Sequence, residues 1–206
     1  MATMTLYMTP TSPYARAIRI VLRHLDLSAD VDEIHARTRT PQNETLDVNP
    51  TGKVPSLVVT DEGGASVVLS ESRIICEYLE RISGSYGLVA APEHLQARAF
   101  EGVVTGFVDV VSVWTREMRR PPGDRSEDIL QQERDRAQRC LQYLERAVET
   151  SNLPLPPTLN FATALLTTGL HVLDGLVSEP WERTSPALGR WQKAIESLAP
   201  VSSTLP

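Results

Sequence analysis

The chain has 206 residues, with 20 Lys and Arg against 26 Asp and Glu, giving a formal net charge of −6. That length favours two domains or one large one, and an acidic balance without a basic cluster argues against a nucleic-acid partner. The N-terminus lacks a charged region followed by an apolar core and no run of about 18 apolar residues occurs, so neither a secretory leader nor a membrane span is expected.

Cys76 and Cys140 are the only thiols. They form no Cys-x-x-Cys pair and fall on apolar faces of expected helices, which argues against disulfides and zinc and for a reducing, cytoplasmic setting. His24, His35, His94 and His171 are scattered through the sequence and suggest no metal site.

Thr3 to Met8 alternates weakly and reads as a first strand. Thr9-Pro10-Thr11-Ser12-Pro13 breaks it, and Ser12 followed by proline is a helix opening: an N-cap hydroxyl, then Pro at the first helical position. The helix places Tyr14, Ile18, Val21, Leu22 and Leu25 on one face and Arg16, Arg19 and Arg23 on another. Asp30 to Ile34 reads as a second strand, closing a βαβ unit. Ala36 to Val48 is polar and irregular.

Asn49-Pro50-Thr51-Gly52 fits a type I turn. The β-branched run Ser56 to Thr60 is then a buried strand, and the Asp61-Glu62-Gly63-Gly64 turn leads into a partner strand, Ala65 to Leu69. Before that hairpin sits Val54-Pro55, a bond whose cis form lies within about 1 kcal/mol of trans. A cis bond would turn the Val54 backbone outward, leaving its N–H and C=O to accept an extended peptide as an extra strand. A trans proline in an ordinary loop is the alternative. The next helix, Glu71 to Ile82, opens with small and polar residues, and its first N–H groups carry partial positive charge suited to a carboxylate. Simple first-turn composition is the plainer reading.

Ser83 to Pro92 is a linker by its small residues, and nothing beyond it reads as strand. Phe100, Val103, Val104, Phe107, Val108, Val111, Trp114 and Met118 mark one face of a long helix, stopped by Arg119-Arg120-Pro121-Pro122-Gly123. Gly102 and Gly106 suggest close helix approach. Ser126 to Thr150 is a second long helix. Leu153 to Pro157 is a proline-rich connection, Thr158 to Leu173 a helix buried on most sides, and Pro186 to Leu198 a final helix.

The order β-α-β-loop-β-β-α over residues 1–82, with the 83–92 linker and helices over 93–206, resembles the soluble glutathione transferases of bacterial type. The match is carried by Ser12-Pro13-Tyr14-Ala15-Arg16, Asn49 to Leu57 and Glu71-Ser72, and by the tail Pro186-Ala187-Leu188-Gly189-Arg190-Trp191 ending at Thr204-Leu205-Pro206. The resemblance implies a thioredoxin-like domain followed by an all-helical one, glutathione as co-substrate, a small hydrophobic electrophile, and a homodimer. Two departures stand out. The family's Ser/Thr-x-x-Asp helix cap is here Thr158-Leu159-Asn160-Phe161, with Phe in the acid's place; Thr158 or Asn160 can still cap alone, but losing a reciprocal partner costs about 0.5–2 kcal/mol. Ser12 also lacks the Ser-Ser-Cys neighbourhood of the zeta-class isomerases.

On this resemblance Ser12 is the candidate hydroxyl donor to the glutathione sulfur, with a purely structural cap as the plainer role and Thr11 as the alternate donor. Arg16 adds positive potential near the sulfur or is simply solvated. Tyr7 falls inside the strand and reads as packing. Val54 pairs with the cysteinyl unit, Pro55 holds that geometry, Glu71 takes the γ-glutamyl ammonium, and Ser72 takes the adjacent carboxylate. Lys53 suits the glycyl carboxylate, with Gln42 as a weaker assistant, and an exposed lysine with no task is the plainer reading. Pro10, Val110, Val113 and Trp114 are candidates for the electrophile pocket, although Trp114 at helical spacing is also a core position. The same thiolate serves conjugation, isomerisation, dehalogenation or ether cleavage, and a non-catalytic binding protein on this scaffold is the remaining alternative.

Overall fold

The computed structural model describes residues 3–150, 153, 157–177 and 180–206. Most of the expected proline-rich connection, residues 154–156, lies outside the described residues. The chain divides into two compact units, Met1–Val89 with Pro200–Pro206, and Ala90–Ala199.

In the first unit a four-stranded sheet has the order β2-β1-β3-β4. β1 (Thr3–Met8) lies parallel to β2 (Val31–His35) and antiparallel to β3 (Ser56–Thr60), which pairs in turn with β4 (Ser66–Ser70). Two boundaries fall one residue later than the sequence suggests. The N–H of Asp30 turns back to the Leu27 carbonyl at 3.1 Å, and Asp61 and Ala65 close the hairpin through the Asp61 N–H at 2.9 Å.

α1 (Pro13–His24) links β1 to β2, and α2 (Ser72–Ser83) follows β4 and ends on Gly84 in the left-handed conformation that glycine adopts without steric penalty. The two helices pack on each other. Leu6, Ile18, Leu22, Leu57, Ile75 and Leu79 are fully buried, each contributing about 1.5–3 kcal/mol of apolar burial. Leu6 and Leu57 face each other across the β1–β3 register. Arg19 and Arg23 are not solvated: both pair with Glu33 of β2, Arg19 through Nε at 2.7 Å. Burial pushes the Glu33 carboxyl up, but the Arg23 and Arg19 guanidiniums outweigh it and hold the group below its ordinary value.

The second unit is helical: α3 (Leu95–Met118), α4 (Glu127–Glu149), α5 (Phe161–Asp174) and α6 (Pro186–Glu196). α3 begins five residues before Phe100, the first residue of its apolar face, because its opening turn is exposed all round and carries no periodic signal. α5 is buried from Phe161 to Leu170, as its uniform apolarity suggests. The close helix approach comes at Gly169, where an added Cβ would lie 2.8 Å from Val108 Cγ2 of α3. At Gly102 and Gly106 an added Cβ would meet nothing within 4 Å, so the expectation of close packing there is corrected.

The helix cap at Phe161 is also corrected. The N-cap is Asn160, whose Oδ1 accepts from the Thr163 N–H at 2.9 Å while Thr163 Oγ1 accepts from the Asn160 N–H at 2.9 Å. Moving the frame by two residues restores both reciprocal bonds, so Phe161 is the first helical residue and the missing acid costs nothing. No helix among the described residues is long and apolar enough to cross a membrane.

Candidate active site

The strand register brings three loops to one edge of the sheet. Tyr7 stands opposite Ser56, and Ser56 opposite Ser70, so the end of β1, the start of β3 and the end of β4 are level. The segments that continue from those points are Thr9–Ser12, Lys53–Pro55 and Glu71–Ser72. A strand pattern and two turn signals, read separately, do not show this adjacency.

Ser12 caps α1. Its backbone is extended, its Oγ accepts from the Ala15 N–H at 3.3 Å, and its own N–H donates to the Thr9 carbonyl at 3.1 Å. Capping uses a lone pair, whereas the hydroxyl proton has no acceptor among the described residues. The two roles weighed for Ser12 are therefore compatible, since a hydroxyl accepts and donates at once. Thr11 is exposed and Pro10 half-buried.

The loop before β3 is held by Asn49, which is 3 % exposed. Its Oδ1 accepts from the Thr51 N–H at 3.0 Å and the Thr51 hydroxyl at 2.9 Å, and its Nδ2 donates to Ser56 Oγ at 2.9 Å. Ser56 Oγ in turn donates to the Lys53 carbonyl at 2.8 Å. Gly52 is required on two counts: its φ is +61°, and a Cβ there would lie 2.8 Å from Leu46 Cδ2. The Val54–Pro55 bond is cis. The N–H and C=O of Val54 have no hydrogen-bond partner among the described residues.

At the start of α2, Glu71 adopts φ 71°, a left-handed conformation uncommon for a residue other than glycine, and provides no side-chain cap. Glu71 is exposed while Ser72 is buried, and the Ser72 N–H has no partner among the described residues. An uncapped helix start of this kind offers N–H groups and partial positive charge to an anion.

Lys53 is exposed. Gln42, also exposed, is brought towards it because Asn43 Nδ2 donates to the Gly52 carbonyl at 2.9 Å. The same segment is fixed by Glu44, which accepts from the Arg37 N–H at 2.8 Å and from Arg37 Nε at 2.6 Å. The Arg37 N–H first, then the backbone N–H of Glu44 itself and the Arg37 guanidinium, hold the Glu44 carboxyl at about 2.

Arg16 is directed elsewhere. Its side chain is 2 % exposed, with Nε on Thr204 Oγ1 and Nη2 on the Val201 carbonyl, both at 3.4 Å. A guanidinium buried against the 200–206 stretch is not simply solvated, so that expectation for it is corrected.

The electrophile candidates of α3 divide. Val110 lines a groove of about 380 Å³ with Val103, Gly106, Arg136, Cys140 and Tyr143. Val113 is half-buried, and Trp114 is 6 % exposed with an indole N–H that has no partner among the described residues, as a core position gives. Among the described residues no group of three or more His, Cys, Asp or Glu is placed to hold a metal.

Comparison with known proteins identifies the family. Residues 6–86 match the model of the glutathione S-transferase N-terminal domain. The "uncharacterized GST-like protein YibF" of Escherichia coli (strain K12) is 31% identical over 166 residues, covering 80% of this chain and 79% of that protein. A glutathione S-transferase from Methylobacillus flagellatus KT, crystallised with glutathione bound, superposes with a TM-score of 0.84 at 26% identity, covering 99% of this chain and 100% of that one. A glutathione transferase family member from Pseudomonas fluorescens Pf-5, with bound glutathione, has the same fold: TM-score 0.83 at 23% identity, covering 99% of each chain. On shared length and identity, and with the loop edge built as described, the chain belongs to the glutathione S-transferase superfamily.

Proposed function

We propose that this chain binds glutathione along the loop edge of its sheet and activates the thiol as a thiolate for attack on a small hydrophobic electrophile. The observation that carries the reading is the pair of open backbone sites at one sheet edge: the main chain of Val54, and the uncapped start of α2 beyond β4. An extended tripeptide hydrogen-bonds to the first through its cysteinyl unit, with Pro55 shaping the loop. Its γ-glutamyl carboxylate meets the Ser72 N–H and hydroxyl, and Glu71 takes the neighbouring ammonium. Lys53, assisted by Gln42, receives the glycyl carboxylate.

The nucleophile is supplied by the co-substrate. Cys76 is fully buried, and burial pushes the Cys140 thiol up against the opposing charge of Arg139. A free thiol has a pKa of about 8.5 and is mostly protonated at neutral pH. Lowering it by about two units takes roughly 2.7 kcal/mol of preference for the thiolate. The Ser12 hydroxyl proton and the N–H groups of the α1 start supply this, because both aim partial positive charge at the sulfur. Thr11 is the alternate donor. The thiolate then forms a C–S bond to the electrophilic carbon, and the displaced group or the adjacent carbon takes the electron pair.

Ser12→Ala tests the assignment: activity falls on the order of 10²-fold while glutathione still binds. Activity equal to that of the unaltered protein removes Ser12 from the role. Mass analysis after incubation with electrophile panels separates the chemistries, since conjugation leaves a stable thioether whereas isomerisation, dehalogenation and ether cleavage do not. The proposal also includes a cytoplasmic homodimer, which family membership supports and sedimentation tests.

A further inference from the structure

The Pro200–Pro206 stretch packs within the unit that carries the site loops. It starts in the short helix α7 (Ala199–Ser202), and Val201 and Thr204 are both fully buried. Thr204 Oγ1 donates to the Val201 carbonyl at 2.9 Å and accepts from Arg16 Nε at 3.4 Å. The Val201 carbonyl also accepts from Arg16 Nη2, and the Thr204 carbonyl from Arg19 Nη1, each at 3.4 Å. Arg19 reaches on through Nε to Glu33 of β2 at 2.7 Å. Arg16 lies one turn from the helix start, and its N–H donates to the Ser12 carbonyl at 2.9 Å.

α1 is thus held on two sides, by the sheet through Glu33 and by the 200–206 stretch through two successive arginines on one helix face. The loops before β3 and before α2 have no such bond to 200–206 among the described residues. We propose that Pro200–Pro206 is a positioning element for the thiol-activating turn. By holding Arg16 and Arg19 it fixes where the first turn of α1 presents the Ser12 hydroxyl to the glutathione sulfur, with Thr204 and Arg16 as positioning residues. This rests on the proposed function. A hydrogen bond weakens steeply as its donor drifts from line or distance. Loosening α1 therefore removes thiolate stabilisation while leaving the anchors at Val54 and Ser72, and with them the affinity for the tripeptide, in place.

The test uses the full chain and glutathione, with Thr204→Val, which removes the hydroxyl and keeps the branched shape, and Thr204→Ser, which keeps the hydroxyl. Calorimetry well below the pH midpoint of the bound thiol gives Kd for the protonated tripeptide, which linkage leaves independent of that midpoint, and ultraviolet titration of the complex gives the midpoint. Thr204→Val is expected to raise that midpoint by about half a unit or more with Kd unchanged within about twofold, and Thr204→Ser to return it to the original value. An unmoved midpoint in Thr204→Val, or a midpoint that moves only together with Kd and melting temperature, overturns the inference. If the unaltered protein binds no glutathione, the functional reading falls and this inference falls with it. An unmoved midpoint in a protein that does bind overturns this inference alone.

Discussion

Replacing Asn49 by Ala perturbs the loop that carries Lys53, Val54 and Pro55 without removing any side chain assigned to glutathione. Three short hydrogen bonds are lost, two to Thr51 at 3.0 and 2.9 Å and one to Ser56 Oγ at 2.9 Å. Thr51 is exposed and Ser56 is not. Water replaces the amide's bonds to Thr51, which are then worth about 0.5 kcal/mol each, while the buried Ser56 bond is worth about 1–1.5 kcal/mol. The sum is about 2–2.5 kcal/mol. At roughly 2–4 °C per kcal/mol for a chain of this size, the melting temperature should fall by about 4–10 °C. Glutathione affinity should weaken about tenfold, since the Lys53 carbonyl loses the Asn49 Nδ2 donor at 3.5 Å, and its other donor, Ser56 Oγ, loses the amide that holds it. Asn49→Asp keeps the acceptor for Thr51 and replaces the Nδ2 donor with a buried carboxylate oxygen, so it should be no better than Ala. Scanning calorimetry and titration with glutathione read both effects. A melting temperature within about 1 °C of the original for Asn49→Ala would refute the reasoning.

Other outcomes follow from bonds between distant residues. Glu145 of α4 accepts from the Ala187 and Leu188 N–H groups at 2.9 and 2.8 Å, capping α6 where Ser185 gives no side-chain bond. Glu145→Ala should cost about 1–2 kcal/mol in chemical denaturation. Asn160→Ala should cost about 0.5–2 kcal/mol, and adding Thr163→Val should cost less than the sum of the two single changes, because the two side chains form one reciprocal box. Full additivity would contradict that box. Glu44 has its folded value, about 2, below the ordinary 4.5. Its link to Arg37 is therefore complete above the ordinary value and lost as pH falls through 4.5 towards 2. Protection of the Arg37 amide, measured against its intrinsic exchange rate at each pH, should fall on acidification across that range, and Glu44→Gln should flatten the fall.

Local signals in the sequence covered much of the fold. Ser12-Pro13 located the start of α1, because a cap hydroxyl followed by proline has a meaning that needs no tertiary context. The alternation of β1 and the β-branched run of β3 gave the strands within a residue. Boundaries failed where the deciding bond is not periodic, as at the exposed first turn of α3 and the turn-closing Asp30. Asn160 was legible as a lone cap, but its reciprocal partner Thr163 was missed because the acid was sought in the frame that starts at Thr158. Gly169 was missed because close approach is a property of two helices, and only the position of Val108 identifies it. Within the candidate site, residue types in the three loops were legible one loop at a time, but their alignment at Tyr7, Ser56 and Ser70 is a fact of strand register. The destination of Arg16 was not legible, since its partner is 188 residues away in a stretch of ordinary composition.

The central claim is that a tripeptide thiol occupies the edge formed by Val54 and the start of α2. Isothermal titration of the unaltered chain with glutathione tests it most directly. The account predicts saturable heat at one site per chain with a Kd of about 1 mM or tighter. No saturable heat up to about ten times that concentration would contradict it.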